Sequence, residues 1–147
     1  LDNNLTAAPI SHFEKVMEQL RTERVKVDIS QGMDLRLLRP EHCIALKGVR
    51  MEKQIHFAWD NIEDTKRILD GLALFLSYYK AWRAMVYILI GYNSTPEEDL
   101  LRVETLRGLK VDPFVMPFDR TQVYQRRFAR WVNHKAIFKT VKWRDYA

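Results

Sequence analysis

Hydrophobic and polar positions along this chain switch repeatedly between a helical period and a strand period, and the switches mark out its elements. Phe13, Val16, Met17 and Leu20 recur at i, i+3, i+4 and i+7, which predicts an amphipathic helix over residues 12–20 with Ser11 as its cap. Val25, Val27 and Ile29 then alternate with Lys26, Asp28 and Ser30, the pattern of a strand over 25–31. Pro40 opens a short helix reaching about Gly48, and a second strand covers 54–59 around the run IHFAW. Asp60 or Asn61 caps a long helix running to about Tyr79, with Ile62, Ile68, Leu69, Leu72, Phe75 and Leu76 as its apolar side.

The stretch MVYILIGYNSTPEED is the most informative one. Six apolar residues stop at Gly91, and the polar loop Tyr92-Asn93-Ser94 follows. Thr95 reads as an N-cap and Pro96 as the first helical residue, while Glu97, Glu98 and Asp99 suit the positive end of a helix over 96–106 that Gly108 terminates. A fourth short strand, DPFVMPF at 112–118, and a last helix over 122–135 complete the order. Strict alternation of helix and strand predicts an α/β fold with a parallel four-stranded sheet and right-handed crossovers. In such folds ligands bind at the carboxyl ends of the strands.

Composition narrows this only modestly. The 147 residues suffice for one domain with a substantial core, and 47% apolar with 29% charged residues is ordinary for a globular chain. No stretch approaches the ~18–20 uncharged apolar residues of a membrane span, so no membrane role and a cytoplasmic setting are expected. The first residues, LDNNLTAAPISHFEK, lack the basic and apolar regions of a signal peptide. Because the sequence opens on Leu1 rather than Met, it is expected to be a piece of a longer protein. The formal charge of +5 is uneven: residues 1–119 hold sixteen Lys/Arg against eighteen Asp/Glu, whereas 120–147 hold eight Lys/Arg against Asp145 alone. Two segments follow, a main body over 1–119 and a basic aromatic helix and tail over 120–147 packed on the same domain.

Candidate chemistry gathers at the strand ends. The first strand ends in Gln31-Gly32-Met33-Asp34-Leu35-Arg36, the second in Trp59-Asp60-Asn61, the third in Gly91-Tyr92-Asn93-Ser94 and the fourth in Met116-Pro117-Phe118-Asp119-Arg120. All four would share one rim. Helix capping accounts equally well for Asp60 and Asn61, and a surface ion pair for Asp34 and Arg36. His56 shares a strand face with Gln54 and Ala58, where a hydrogen-bonded structural histidine outweighs a catalytic one. His12, His42, His56 and His134 have no metal-ligand spacing, and Cys43 stands alone on the apolar side of its helix, so no metal site is expected.

Taken together these segments resemble the C-terminal half of a radical S-adenosylmethionine (radical SAM) enzyme core. The matching stretches are DNN at residues 2–4, QGMDLRLL at 31–38, IHFAWD at 55–60, VYILIGYNSTPEED at 86–99, and DPFVMPFD with YQRRFARWVN at 112–119 and 124–133. The resemblance implies a partial (β/α)6 TIM-like barrel whose fourth to seventh strands are the four here. It also implies SAM and a [4Fe–4S] cluster as cofactors of the parent protein, an iron-sulfur oxidoreductase-type enzyme. The C-x-x-x-C-x-x-C motif that holds the cluster is absent, so this chain alone is expected to be inactive and to bind no cluster. The family's G-x-I-x-G-x-x-E adenine motif falls on Tyr87, Leu89, Gly91 and Ser94, of which only Gly91 is retained outright. By the same carry-over Gln31, Asp34, Arg36, Leu89, Gly91 and Asn93 face SAM, with Arg36 suited to its carboxylate. Asn3, Asn4, His56, Asp60 and Met116 face the substrate. The implied partner is the missing N-terminal half of the barrel, and the unpaired edge left by its absence would favour self-association.

Two readings from other classes remain. Trp131, Phe138, Trp143 and Tyr146 are interleaved with positive charge, the composition of a nucleic-acid- or anion-binding module. A small α/β domain with a structural role is the third.

Overall fold

The computed structural model describes residues 4–146. Parallel pairing and helical crossovers make it an α/β protein, with the strands divided between two sheets and seven α-helices among the described residues. In chain order the helices are α1 (Ile10–Glu23), α2 (Pro40–Ala45), α3 (Thr65–Tyr78), α4 (Pro96–Gly108), α5 (Val123–Asn133), α6 (Lys135–Thr140) and α7 (Trp143–Tyr146). The strands are β1 (Lys26–Val27), β2 (Arg50–Met51), β3 (Ile55–Ala58), β4 (Ala84–Ile90) and β5 (Asp112–Pro117).

The expected four-stranded sheet is replaced by a three-stranded sheet in the order β3-β4-β5 and a separate pair, β1 with β2. The first predicted strand fails after two residues for a local reason. The Ile29 carbonyl, which a ladder would need, accepts from the Gly32 N–H at 3.3 Å and lies 3.2 Å from His56 Nδ1. Gly32 has φ +83°, so the chain bends there and touches β3 again only at Met33, whose N–H donates to the His56 carbonyl at 2.7 Å. The partner β1 does take, β2, is two residues long, too short to leave an alternation in the sequence.

Helix limits shift for equally local reasons. Pro9, not Ser11, occupies the cap of α1, because proline needs no N–H partner at a helix start. The Asn61 side chain accepts the Glu63 N–H at 3.0 Å, but it caps a 3₁₀ turn at Ile62–Asp64 that precedes α3. The Thr95 reading holds: Thr95 accepts from the Glu98 N–H while the Glu98 carboxylate accepts from the Thr95 N–H. The last helix breaks at His134, whose Nδ1 meets the Ile137 N–H, so a single predicted helix becomes α5 and α6.

One face of the sheet is packed and the other is not. Ile55, Phe57, Val86, Ile88, Ile90 and Val115 are buried in the same core as Ile68, Leu72 and Phe75 of α3, Val103 and Leu106 of α4, and Phe128 and Trp131 of α5. The opposite face carries Ala58, Met85, Tyr87 and Leu89, half-buried, with Phe114 and Met116 at 39% and 37% exposure. Burial along β4 alternates residue by residue accordingly.

The outer edge of β5 is closed. The Asn133 side-chain amide accepts the Val115 N–H at 2.8 Å and donates to the Val115 carbonyl at 2.9 Å. The residues two before and two after, Pro113 and Pro117, have no N–H to offer, so this edge presents no donor row to another strand. The edge expected to lie unpaired is the other one, where residues 28–34 flank β3 through a single bridge.

Candidate functional site

Gln31, Asp34, Arg36 and Asp60 meet, with Asn4, around a cavity of about 350 Å³ at the carboxyl end of β3. Asn61 and Asp64 complete its polar wall. What holds the 31–36 segment in place is a close approach that only glycine permits. A Cβ at Gly71, in the middle of α3, would stand 2.1 Å from the Leu35 carbonyl oxygen, so the bare backbone of α3 lets the 3₁₀ turn Leu35–Leu37 lie against it. The Thr6 hydroxyl accepts the Asp34 N–H at 3.1 Å from the other side.

Arg36 does not present an open fork to the cavity. Its Nε and Nη2 donate to the two Asp34 oxygens at 2.9 and 2.8 Å, and its Nη1 donates to Asp64 Oδ2 at 2.9 Å. Bidentate recognition of a carboxylate is thus present, but the carboxylate is the chain's own. The Arg36 hydrogen bonds hold Asp34 below its ordinary value of 3.8 against the opposing effect of burial, and Asp34 in turn raises the guanidinium. With Arg36 neutralising one carboxylate, Asp34, Asp60 and Asp64 leave the cavity with net negative charge. The Asn4 Oδ1 is buried without a partner among the described residues.

The remaining predicted residues are dispersed. Asn93 is exposed and lines a second concavity with Asn61, Tyr92, Ser94 and Glu98. Leu89 and Met116 lie in register on the open sheet face. His56 sits on that face too, stacked on Tyr87 at 5.1 Å, with Nδ1 directed at the Ile29 carbonyl and 3.8 Å from Asp28. It holds the bent segment after β1 and lines neither cavity. Gly91 has φ +76°, and a Cβ there would collide with the buried side chain of Gln125, whose Oε1 accepts the Asp119 N–H at 2.9 Å. Asn3 lies outside the described residues. Cys43 is buried in the core, and burial pushes its thiol up to about 11.

Sequence reasoning missed the pair beneath the rim. Arg102 and Asp99 are wholly buried and joined at 2.7 Å. Arg102 also donates to the carbonyls of Trp59 at 2.8 Å and Leu89 at 3.0 Å, tying the carboxyl end of β3 to that of β4. Asp99 accepts further from the Ser94 hydroxyl at 2.6 Å and the Tyr124 hydroxyl at 3.1 Å. Burial and the Asp99 charge raise the Tyr124 phenol far above its usual range, so it stays a donor. The signal was available: residues 99, 102, 103 and 106 share the i, i+3, i+4, i+7 stripe of α4, and two of the four are charged.

In the tail, Trp131 and Phe138 are buried, and the Arg107 guanidinium stacks on both at 5.2 and 4.1 Å. Trp131 Nε1 donates to the Val141 carbonyl. Those rings form core, while Arg126, Arg130 and Lys139 stay exposed. No helix of the described residues is long and apolar enough to cross a membrane. Comparison with protein-family models, with curated proteins and with solved structures finds no match for this chain.

Proposed function

We propose that the chain is the C-terminal part of a radical SAM-type enzyme core, contributing the SAM- and substrate-facing ends of a half-barrel. The observation that carries this reading is the one-sidedness of the sheet. Its helices pack on one face, and the other keeps Tyr87, Leu89, Phe114 and Met116 half-buried or exposed, as the lumen side of an incomplete barrel would. The polar cavity lies at the carboxyl end of the strands, where barrel enzymes keep their chemistry.

The two implied cofactors fit unequally. Among the described residues no group of three or more His, Cys, Asp or Glu is placed to hold a metal ion, and Cys43 is enclosed by core, so these residues do not fit the cluster. SAM fits better. Its sulfonium and ammonium suit an acidic cavity, and Asp60, Gln31 and Asn4 would hold its ammonium and hydroxyl groups. Asp34 and Asp64 take three of the five Arg36 N–H donors, so in this reading Arg36 could offer the SAM carboxylate only its two remaining Nη protons. When bound in such enzymes, SAM is the source of a hydrogen-abstracting radical. The role of this chain's residues is to bind and orient it, with Arg102 holding the two strand ends together below.

Calorimetric titration of SAM and S-adenosylhomocysteine tests the reading. We expect SAM to bind more tightly than its demethylated thioether analogue, which lacks the sulfonium charge, and Asp60→Asn to weaken SAM about tenfold, the scale of one charged contact. No saturable binding, or affinity indifferent to Asp60→Asn and Gln31→Ala, would sink it. Anaerobic treatment with iron and sulfide should give no visible cluster absorption, and the parent reading frame should encode C-x-x-x-C-x-x-C upstream of Leu1.

A further inference from the structure

Lys26, Lys47, Arg50 and Arg83 surround one cavity of about 610 Å³ at the amino-terminal end of the strands, opposite the acidic rim. They come from four places in the fold: β1, the turn after α2, β2, and the residue before β4. Tyr78 and Tyr79, at the end of α3, form a wall, and no carboxylate lines the space. These cations are largely uncommitted. Among the described residues Lys47, Arg50 and Arg83 make no ion pair, and Lys26 reaches Glu52 only at 3.8 Å between two solvated side chains. Lys47 lies over the Tyr78 ring at 5.6 Å and Arg83 over the Trp82 ring at 4.9 Å. Trp82 is 61% exposed, yet its backbone is pinned by Gln54, which donates to the Trp82 carbonyl at 2.8 Å.

Four positive charges around one concavity raise the local positive potential and attract an anion. The carboxyl ends of α2 and α3 oppose it, but each carries only about half a negative charge, so roughly four cations outweigh about one unit of opposing dipole. A single carboxylate would satisfy one guanidinium and leave the other cations unmatched. A flat anionic surface could not enter the cavity. A chain of phosphodiesters meets both requirements, and an exposed indole on an anchored backbone beside an arginine gives a base a face to stack on.

We propose that this end of the molecule binds single-stranded nucleic acid, with phosphates at Lys26, Lys47, Arg50 and Arg83 and a base on Trp82. The inference is independent of the SAM reading, since it uses none of the rim residues. It also differs from a tail-borne site, because the tail aromatics Trp131 and Phe138 are buried while Trp82 is open.

Fluorescence anisotropy with labelled single-stranded RNA and DNA oligonucleotides, titrated at several salt concentrations, tests it on the whole chain. Binding is expected at low salt with a steep dependence on log[salt]. Arg50→Ala/Arg83→Ala should weaken it at least about tenfold and lower the salt slope by about 1.4, two single-strand phosphate contacts. Arg50→Lys/Arg83→Lys should retain most of the affinity. Trp82→Ala should cost about fivefold or more with little change in slope. Arg50 and Trp82 are exposed and Arg83 is half-buried, and unchanged thermal unfolding of each variant verifies the fold. Absence of binding at low salt overturns the proposal. So does binding that the double alanine variant leaves intact, or that Arg126→Ala/Arg130→Ala abolishes instead. A free nucleoside diphosphate binding as tightly as an oligonucleotide overturns the nucleic-acid assignment.

Discussion

The two ends of the parallel strands are opposites in charge and in how that charge is held. At the carboxyl end Asp34, Asp60 and Asp64 face a cavity whose one cation among the described residues, Arg36, is paired with two of those carboxylates. Below it a buried Arg102–Asp99 pair locks two strands together. At the amino end four cations face a cavity without a carboxylate; Lys47 and Arg83 lie over aromatic rings, and Lys26 alone has a counter-ion, Glu52 at 3.8 Å. Part of this polarity is a by-product of the fold. Each crossover helix begins near a strand's carboxyl end, where acidic residues favour the helix dipole, as Glu97, Glu98 and Asp99 do in α4. Helix dipoles do not explain Lys26 and Arg50, which lie on strands. That excess is what sets the amino end apart as a binding surface rather than a capped helix end.

The comparison can be broken most severely from beneath the acidic end. Arg102→Ala leaves Asp99 buried without its main partner and frees the Trp59 and Leu89 carbonyls; we expect a loss of about 3–5 kcal/mol in urea unfolding. Asp99→Asn/Arg102→Met should lose clearly less, and equal losses would mean that the charge pairing does not matter. Gly71→Ala should cost about 1–3 kcal/mol, because its methyl would press on the Leu35 carbonyl and displace the turn carrying Asp34 and Arg36. A neutral effect on thermal unfolding would show that this turn is not seated on α3.

Acid should erase the contrast without reversing it. Asp34 is held below 3.8 by Arg36, and Asp112 is lowered too: burial raises it, but Lys135 and Gln54 outweigh that. A carboxylate lowered in the folded state contributes stability above its unfolded value, lost as pH falls through the folded one. Urea midpoints should therefore be flat down to about pH 5 and fall below about 3.8, with Asp34→Asn reducing the fall. An unchanged acid limb in that variant would contradict the pairing. The smallest effect is expected from Arg36→Gln, about 1 kcal/mol, because the guanidinium is 41% exposed although its carboxylate partners are largely covered. It should make the acidic cavity more negative and so improve SAM binding relative to the thioether. Tighter binding of the thioether instead would reverse the assigned charge logic.

Much of the architecture was legible. Five helix starts fell near their observed positions, because Pro40, Thr95 and the apolar spacing around Phe13, Leu72 and Phe128 carry local physics that tertiary packing did not override. Three strands were legible for the same reason, and the Thr95–Glu98 capping box was readable to the atom. The first strand was misjudged because alternation says nothing about whether a carbonyl is free to pair, and the Ile29 carbonyl is taken by Gly32 and approached by His56. In the candidate site, the grouping of Gln31, Asp34, Arg36 and Asp60 followed from their places at strand ends, whereas Asn4 was named through the family resemblance alone. The engagement of Arg36 by two carboxylates at once did not, since Asp64 reaches it across 28 positions of sequence.

The amino-acid sequence by itself determined the alternation of elements, the parallel α/β class and the placement of polar loops at one end, because these depend on periodicity and capping within a few residues. Only the tertiary structure decided which charges meet. It buried Arg102 and Asp99 together beneath the rim, enclosed the tail aromatics that looked available, and drew Lys26, Lys47, Arg50 and Arg83 from distant positions around one cavity. Charge in a protein acts through distance and exposure, and neither is a property of sequence spacing beyond a single helix turn.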